Sequence, residues 1–154
     1  MSARELEPLL GTSHFRVQIG RQEIGCCEVG RLTSETDLSV PPAERRHGFE
    51  TVVLRRALTS DRELYDWRRR IVDGAKDRRS VTIRQLEAPA GRVVNSWRLV
   101  RAWPCRWSGP GFNALESGIA YEELELAFDD LVWLEDNRPP PTRRSPSRKT
   151  TQGA

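Results

Sequence analysis

The sequence predicts a mainly β fold of about six strands with one flanking α-helix. Three observations carry this prediction. Several segments alternate apolar and polar residues with the period of two that is typical of a half-buried strand. One segment, residues 60–74, instead repeats its apolar residues with helical spacing, and Gly- and Pro-rich stretches separate the periodic segments. The 154 residues are enough for one domain with a substantial core.

Six segments have the composition and alternation of strands. In chain order they cover residues 14–19, 26–36, 51–58, 80–86, 92–102 and 118–134. In the first, the apolar residues that are expected to face the core are Phe15, Val17 and Ile19. In the third, Val52, Leu54 and Leu58 are expected to share the buried face.

Two irregularities are expected in the last two strands. Pro104 lacks an amide proton, so it is expected to end the fifth strand or to place it at a sheet edge. In residues 118–134 the apolar alternation slips between Tyr121 and Leu124. Such a slip predicts a β-bulge, because an inserted residue reverses the facing of the side chains that follow.

The helix is the best specified element of the chain. Ser60 and Glu63 have the spacing of a capping box, Asp61 suits the positive first turn, and Gly74 supplies a stop. The apolar residues at i, i+3 and i+7 are Leu64, Trp67 and Ile71. The basic run at residues 68–70 is interpreted as a solvated face.

Loops are predicted where Gly and Pro accumulate. Residues 39–50 resist regular structure and form a long exposed loop, residues 88–91 form a tight turn, and residues 108–118 form a second exposed loop. Residues 135–154 are rich in Pro and Arg and are expected to be a disordered tail. The chain is thus divided into an N-terminal arm (1–13), a β domain (14–134) and this tail.

The basic charge is concentrated in the tail. The chain has a net charge of +3, and residues 138–154 hold five basic and no acidic residues, which leaves −2 for residues 1–137. A nucleic-acid-binding domain would spread basic charge over a folded face. A binding module that uses the basic tail stays an alternative, and salt-sensitive binding by a monomer would support it.

Metal, cofactor and export signals are missing from the sequence. The adjacent Cys26 and Cys27, with Cys105, do not suit a secreted disulfide framework, and His14 and His47 lie far from them in sequence. No cofactor is implied, because neither a dinucleotide-binding nor a Walker-type glycine loop is present. With no signal-peptide core and no apolar run of membrane-spanning length, cytoplasmic synthesis is expected.

Catalysis has little support. The acidic run of residues 122–125 could mimic paired carboxylates, but on a strand Glu123 and Glu125 would simply share one wet or interface face. A small hydrolase would need a pocket that gathers His14 or His47 with a carboxylate. The tryptophans at positions 97, 103 and 107 are interpreted as core or interface residues and not as a base-stacking platform. We therefore expect a protein without enzymatic activity.

The order of these segments resembles the tail-tube family of contractile phages and phage-derived injection systems over about residues 14–134. The segments that carry the resemblance are Phe-x-Val (Phe15 to Val17), a Gly-containing strand (Glu28 to Ser34), Val-x-Leu-Arg-Arg-Ala-Leu (Val52 to Leu58), Leu-Tyr-Asp-Trp after Thr-Ser-Asp (Leu64 to Trp67), Val-x-Ile (Val81 to Ile83), Trp-Arg-Leu-Val-Arg-Ala-Trp-Pro (Trp97 to Pro104) and Glu-x-Leu-Glu-Leu-Ala-Phe (Glu122 to Phe128).

This resemblance implies an antiparallel β-sandwich or small barrel with one flanking helix, assembled as a hexameric ring. Sheets would join across subunits around a lumen, and rings would stack inside a contractile sheath. The implied partners are further copies or related tube rings and the sheath, spike and baseplate proteins, with nucleic acid only as lumen cargo. The chain would thus be a component of a phage tail or an injection particle.

The resemblance also implies a site for contacts between rings. The exposed loop before the third strand, together with the N-terminal arm, would contact the next ring, and its candidate residues are Pro41, Pro42, Arg45, Arg46 and His47. The loop is shorter than is usual in the family, and the Pro-rich tail is not part of the usual pattern. Both features raise a second hypothesis, a tube-initiator ring that joins the tube to the spike and baseplate.

Overall fold

The computed structural model describes residues 9–36, 38–44, 47–49 and 51–135. Ten strands and one α-helix lie in this part of the chain: β1 (Phe15–Ile19), β2 (Gln22–Ile24), β3 (Glu28–Val29), β4 (Ser34–Thr36), β5 (His47–Phe49), β6 (Val52–Ala57), α1 (Glu63–Val72), β7 (Arg79–Leu86), β8 (Val93–Ser108), β9 (Tyr121–Ala127) and β10 (Asp130–Leu134). A short 3₁₀ turn covers Pro42–Glu44.

Eight strands form one antiparallel sheet, in the order β2-β1-β7-β8-β9-β6-β3, with β10 also paired to β8. The remaining two strands, β4 and β5, form a separate hairpin. The fold-class prediction of a mainly antiparallel β protein with one helix is therefore confirmed. Among the described strands the sheet stays open, because β2 and β3 are its two ends.

The long strand β8 divides the sheet into two halves. As far as Ala102 it pairs with β7, and with β10 on its other side, whereas from Trp103 it pairs with β9. The change occurs beside Arg101, which has a φ of 52°, a left-handed conformation that bends a strand sharply. Side chains of both halves pack into one core, so the two halves face each other.

The core is built from the inward positions of the strands and from α1. Residues that are almost completely buried include Val17, Val52, Leu54, Leu64, Trp67, Val81, Leu99, Leu124 and Leu126. The predicted inward phase of β1 and the predicted buried face of the helix are thereby confirmed. Leu58, in contrast, is 36% exposed, so its predicted burial is wrong, because β6 ends one residue earlier.

The strand count exceeds the prediction because two predicted strands are each divided in two and because β2 and β5 lie outside the predicted strands. Residues 26–36 contain two very short strands, since the chain leaves β6 after the Gly30 amide donates to the Val53 carbonyl (2.8 Å). Residues 39–50 were expected to lack regular structure, yet β5 lies there. The single strand expected over 118–134 is two strands, joined by a turn in which the Asp129 amide donates to the Val100 carbonyl (2.9 Å).

The ends of α1 differ partly from expectation. The Ser60–Glu63 capping box is absent, because Arg62 is the N-cap residue and makes no side-chain capping bond. Instead, Asp61 Oδ1 accepts a hydrogen bond from the Glu63 amide (3.0 Å). At the other end the predicted stop is confirmed: Gly74 has a φ of 93° and its amide donates to the Ile71 carbonyl (3.1 Å), as in a Schellman motif.

The two irregularities expected in the last strands have different outcomes. Pro104 does not end β8, which continues to Ser108. It is buried opposite Leu126 in the part of β8 that pairs only with β9 among the described strands, so the expected edge position agrees with the structure. The missing amide is tolerated because a bulge follows, between Pro104 and Arg106. β9 itself pairs with β6 in regular register. The apparent slip arises because Glu122 is the inward residue between Ala120 and Leu124, and is only 2% exposed.

Candidate assembly surface

Half of the sheet forms a layer with two open edges. This four-strand layer consists of β3, β6, β9 and the Trp103–Ser108 part of β8. At one edge β3 covers only two residues of β6. At the other edge, the Trp103–Ser108 part has no further strand beside it in the described ranges, although Arg68 Nη1 donates to the Pro104 carbonyl (3.4 Å).

The outer face of the layer is charged and internally paired. Arg55 lies 3.5 Å from a carboxylate oxygen of Glu28 and 3.8 Å from one of Glu123. Its guanidinium also stacks 4.0 Å from the ring centroid of Tyr121. One register row, Ser108-Glu123-Arg55-Glu28, therefore crosses all four strands. The expectation that Glu123 points to solvent or to an interface agrees with this arrangement.

A cavity lies between β1 and the segment around β3. Its volume is about 340 Å³, and its apolar lining includes Phe15, Val29, Leu32, Ile83 and Trp97. We call this the seam cavity, because β1 lines one side and β3 with the residues around it lines the other. No single sequence segment indicates it, since its walls come from four separate parts of the chain.

Cys27, His14 and Glu28 also line the seam cavity, which places a thiol, an imidazole and a carboxylate in one pocket. They do not form a nucleophile and base pair. The Cys27 thiol donates to the Arg55 carbonyl (3.3 Å), and the Glu28 carboxylate pairs with the Arg55 guanidinium. The pocket that the hydrolase hypothesis requires thus exists, but its thiol and carboxylate bind Arg55 and not one another.

The loop of residues 109–120 exposes large apolar side chains. Phe112 is 90% exposed, Leu115 96% and Ile119 68%. Asn113 Oδ1 accepts a hydrogen bond from the Leu115 amide (3.0 Å), which folds the tip of the loop. The exposed loop predicted for residues 108–118 is therefore confirmed. The sequence prediction does not include the apolar side chains of this loop. Large apolar residues in an exposed Gly- and Pro-rich loop nevertheless indicate an interaction surface.

The predicted residues for contacts between rings lie around the β4–β5 hairpin. Pro41 and Pro42 are exposed at its connection, where the 3₁₀ turn begins. His47 opens β5, and its backbone lies opposite Thr36. Arg45 and Arg46 lie outside the described residues, so of the predicted set the structure describes only Pro41, Pro42 and the backbone of His47. The predicted disordered tail, from residue 136 onward, also lies outside them.

Within the described ranges, metal clusters, disulfides and membrane-spanning helices are all absent. In the described ranges no group of three or more His, Cys, Asp or Glu side chains could hold a metal ion. The three cysteines are free thiols. Within the same ranges, no helix has the length and apolar character needed to cross a membrane.

Comparison with protein families identifies the chain. Residues 11–132 match the family described as T4-like virus tail tube protein gp19. The chain belongs to this tail tube family. The resemblance stated from the sequence is confirmed, and it covers the whole of the β domain except its last two residues. Comparison with curated proteins gives no match.

Solved structures of tail tube and related proteins share the fold. A chain of the PVC sheath-tube complex, from an extracellular contractile injection system in its extended state, is 20% identical in sequence, with a TM-score of 0.66. The match covers 84% of this chain and 93% of that one. A chain of the cap that terminates the anti-feeding prophage tube is 14% identical in sequence, with a TM-score of 0.68. The match covers 86% of this chain and 95% of that one. Hcp1 from Flavobacterium johnsoniae is 12% identical in sequence, with a TM-score of 0.57. The match covers 78% of this chain and 94% of that one.

Membership of the tail tube family makes the protein a structural component of a phage tail or contractile injection particle. The open edges, the seam cavity and the apolar loop are the features that such a component can offer to neighbours.

Proposed function

We propose that this chain is the inner-tube subunit of a contractile tail or injection system and that six copies form a ring. The four-strand layers of neighbouring copies would join edge to edge into one continuous barrel around a lumen. Rings would stack inside a sheath and meet spike and baseplate proteins at the end of the tube. The role is mechanical: the tube transmits thrust and conducts cargo, and no group of this chain needs to react.

The observation that carries this proposal is the pair of open edges on the four-strand layer. An unpaired edge leaves amide and carbonyl groups without partners and invites pairing with another chain. One edge belongs to β3 and the other to β8, so two copies would join head to tail. A head-to-tail contact generates a ring when its rotation closes. Ring closure would pair both edges of this layer, and the product would be hollow.

Stacking would use the β4–β5 hairpin. The hairpin is separate from the main sheet, and its connection exposes Leu38, Pro41 and Pro42, which supports a contact with another ring. Under this proposal Pro41, Pro42, Arg45, Arg46 and His47 contact the next ring, together with the N-terminal arm of residues 1–13. Nucleic acid is one cargo that such a lumen could hold.

Electron microscopy with size analysis tests the proposal directly. The purified chain, with and without residues 138–154, is examined over a range of concentrations by negative staining and by sedimentation. Six-fold rings that stack into tubes support the inner-tube role. Single rings that do not stack support the tube-initiator hypothesis. A monomer at high concentration contradicts ring formation and supports the binding module that uses the basic tail.

A further inference from the structure

We propose that the apolar loop of residues 109–120 inserts into the seam cavity of the next copy in the ring. The inference rests on the proposed function, since it specifies how the head-to-tail contact is made. Phe112 and Leu115 would be the inserted side chains. The receiving surface would be the apolar wall formed by Phe15, Val29, Leu32, Ile83 and Trp97 of the neighbour.

The loop and the cavity each lack an occupant or cover in the single chain, as far as the described residues show. Phe112 and Leu115 are 90% and 96% exposed, and exposing two such side chains on one loop is unfavourable unless a partner covers them. The seam cavity, at about 340 Å³, has room for both, since a cavity of roughly 150 Å³ accepts a benzene-sized group.

The loop and the cavity lie at the two edges that would join. The loop begins directly after Ser108, the last residue of the open β8 edge. The cavity is bordered by Cys27, Glu28 and Val29 at the β3 edge. Joining the β8 edge of one copy to the β3 edge of the next therefore brings a loop to every cavity around the ring.

The strand register sets the level at which the loop and the cavity would meet. Ser108 and Glu28 belong to the same register row across the four-strand layer. If the row continues into the next copy, the residue after Ser108 arrives level with the β3 residues that border the cavity. The loop and the cavity share no residue, so each copy can give its loop to one neighbour and receive the loop of the other.

The native Cys27 thiol makes a sharp test possible, because it is exposed and lines the cavity. In L115C, mild oxidation of assembled protein should link the thiol introduced into the loop of one copy to Cys27 of the next. Denaturing non-reducing gels should then show a ladder from dimer to hexamer. The ladder should disappear in L115C/C27S. V72C, which adds an exposed thiol at the end of α1, is the matched control and should give no ladder.

The outcomes separate the inference from the proposed function. Rings without a Cys27-dependent ladder overturn the inference and leave the tube role intact. A band that stops at dimer also overturns it, because it indicates a reciprocal pair of copies. Absence of rings in the wild-type protein overturns the proposed function, and the inference with it.

A second variant tests the apolar contact without a covalent bond. F112S/L115S should raise the protein concentration needed for ring formation by about a hundredfold or more, because two apolar side chains lose their burial. V72S removes a comparable exposed group and should leave that concentration unchanged. An unchanged concentration for F112S/L115S, with wild-type unfolding behaviour, overturns the inference.

Discussion

Arg56 and Glu122 form an ion pair inside the sheet, with 2.9 Å between Arg56 Nη2 and Glu122 Oε1. Their side chains are only 9% and 2% exposed. The two residues are directly opposite each other on β6 and β9. Arg56 also contacts Asp61, through a carboxylate oxygen at 3.4 Å and the carbonyl oxygen at 3.3 Å. The pair therefore joins the four-strand layer to the start of α1.

Breaking this pair should cost much more than replacing it. E122Q leaves the Arg56 charge buried without its closest counter-ion, and we expect the free energy of unfolding to fall by about 3–5 kcal/mol. The double variant R56M/E122L replaces both charges with apolar groups of similar size and should recover most of that loss. Urea unfolding at neutral pH, followed by tryptophan fluorescence, measures both.

An exposed pair provides the control for this measurement. Arg62 and Asp66 lie 3.8 Å apart on the surface of α1, with side chains 71% and 49% exposed, so R62M should change the stability by less than about 0.5 kcal/mol. If E122Q is no more destabilising than R62M, the buried pair contributes as little as a surface pair and our interpretation of it is wrong.

The sequence predicts the fold best where burial and apolar character coincide. Val17 and Ile19 in β1, and Leu64 and Trp67 in α1, are apolar and buried, so periodicity alone orients these elements. Arg56 has the same phase as Val52 and Leu54, yet a charged residue at an inward position is not expected.

Short elements and cavities are harder to predict for a different reason. The two residues of β3 are held by pairing with β6, which is a property of the assembled sheet and not of the local sequence. The seam cavity likewise forms because distant segments come together. The Gly and Pro content predicts the loop between β8 and β9. The loop sequence alone does not predict the partner of its exposed apolar residues, because under our proposal that partner is the next copy in the ring.

Gly74 should be sensitive to substitution although there is space around it. A side-chain carbon placed there would meet no atom of the described residues within 4 Å, but the φ of Gly74 is 93°, so G74A should cost about 1 kcal/mol in backbone strain. G25A is the matched control, because Gly25 has equal space and no positive φ. Thermal unfolding should show a lower Tm for G74A alone; equal Tm values for both would contradict the strain argument.

Cys26 should react slowly with alkylating reagents. Burial is the main cause that raises the pKa of its thiol from 9.0 to about 11; the nearby Arg56 lowers this pKa, while Cys27 and Glu122 add to the increase. Because the thiolate is the reactive form, the alkylation rate at pH 8 should be about a hundredfold below that of an ordinary thiol, from the pKa difference alone. Iodoacetamide kinetics on C27A/C105A, with C26A/C105A as the exposed-thiol control, measures this.

The same pKa gives a sign for the pH dependence of stability. Between pH 9 and about 11 the folded state keeps the Cys26 proton, whereas the unfolded state releases it, so stability should fall as pH rises through this window. C26A should remove that part of the decrease. A Cys26 alkylation rate that levels off near pH 9 would show that burial does not hold the proton.

Asp77 should stabilise the connection between α1 and β7 only while it is ionised. Hydrogen bonds from Arg79, at 2.9 and 3.1 Å, and from Arg70, at 3.1 Å, lower the pKa of this carboxyl below 3.8, although partial burial opposes them. Its carbonyl accepts a hydrogen bond from Trp67 Nε1 (2.8 Å), so the ion pairs lie directly beside the core tryptophan.

Because the folded pKa is the lower one, this stabilisation is fully present above pH 3.8 and is lost as the pH falls through the folded value. D77N should therefore lower the stability by about 1 kcal/mol at pH 7, a modest value because the ion pairs are partly exposed. Thermal unfolding of D77N and the wild type between pH 2 and 7 should show curves that converge on acidification. D66N, in the exposed Arg62 pair, should stay close to the wild type at neutral pH. Parallel curves for D77N and the wild type down to pH 2 would mean that the amide disrupts packing, and the electrostatic account would be wrong.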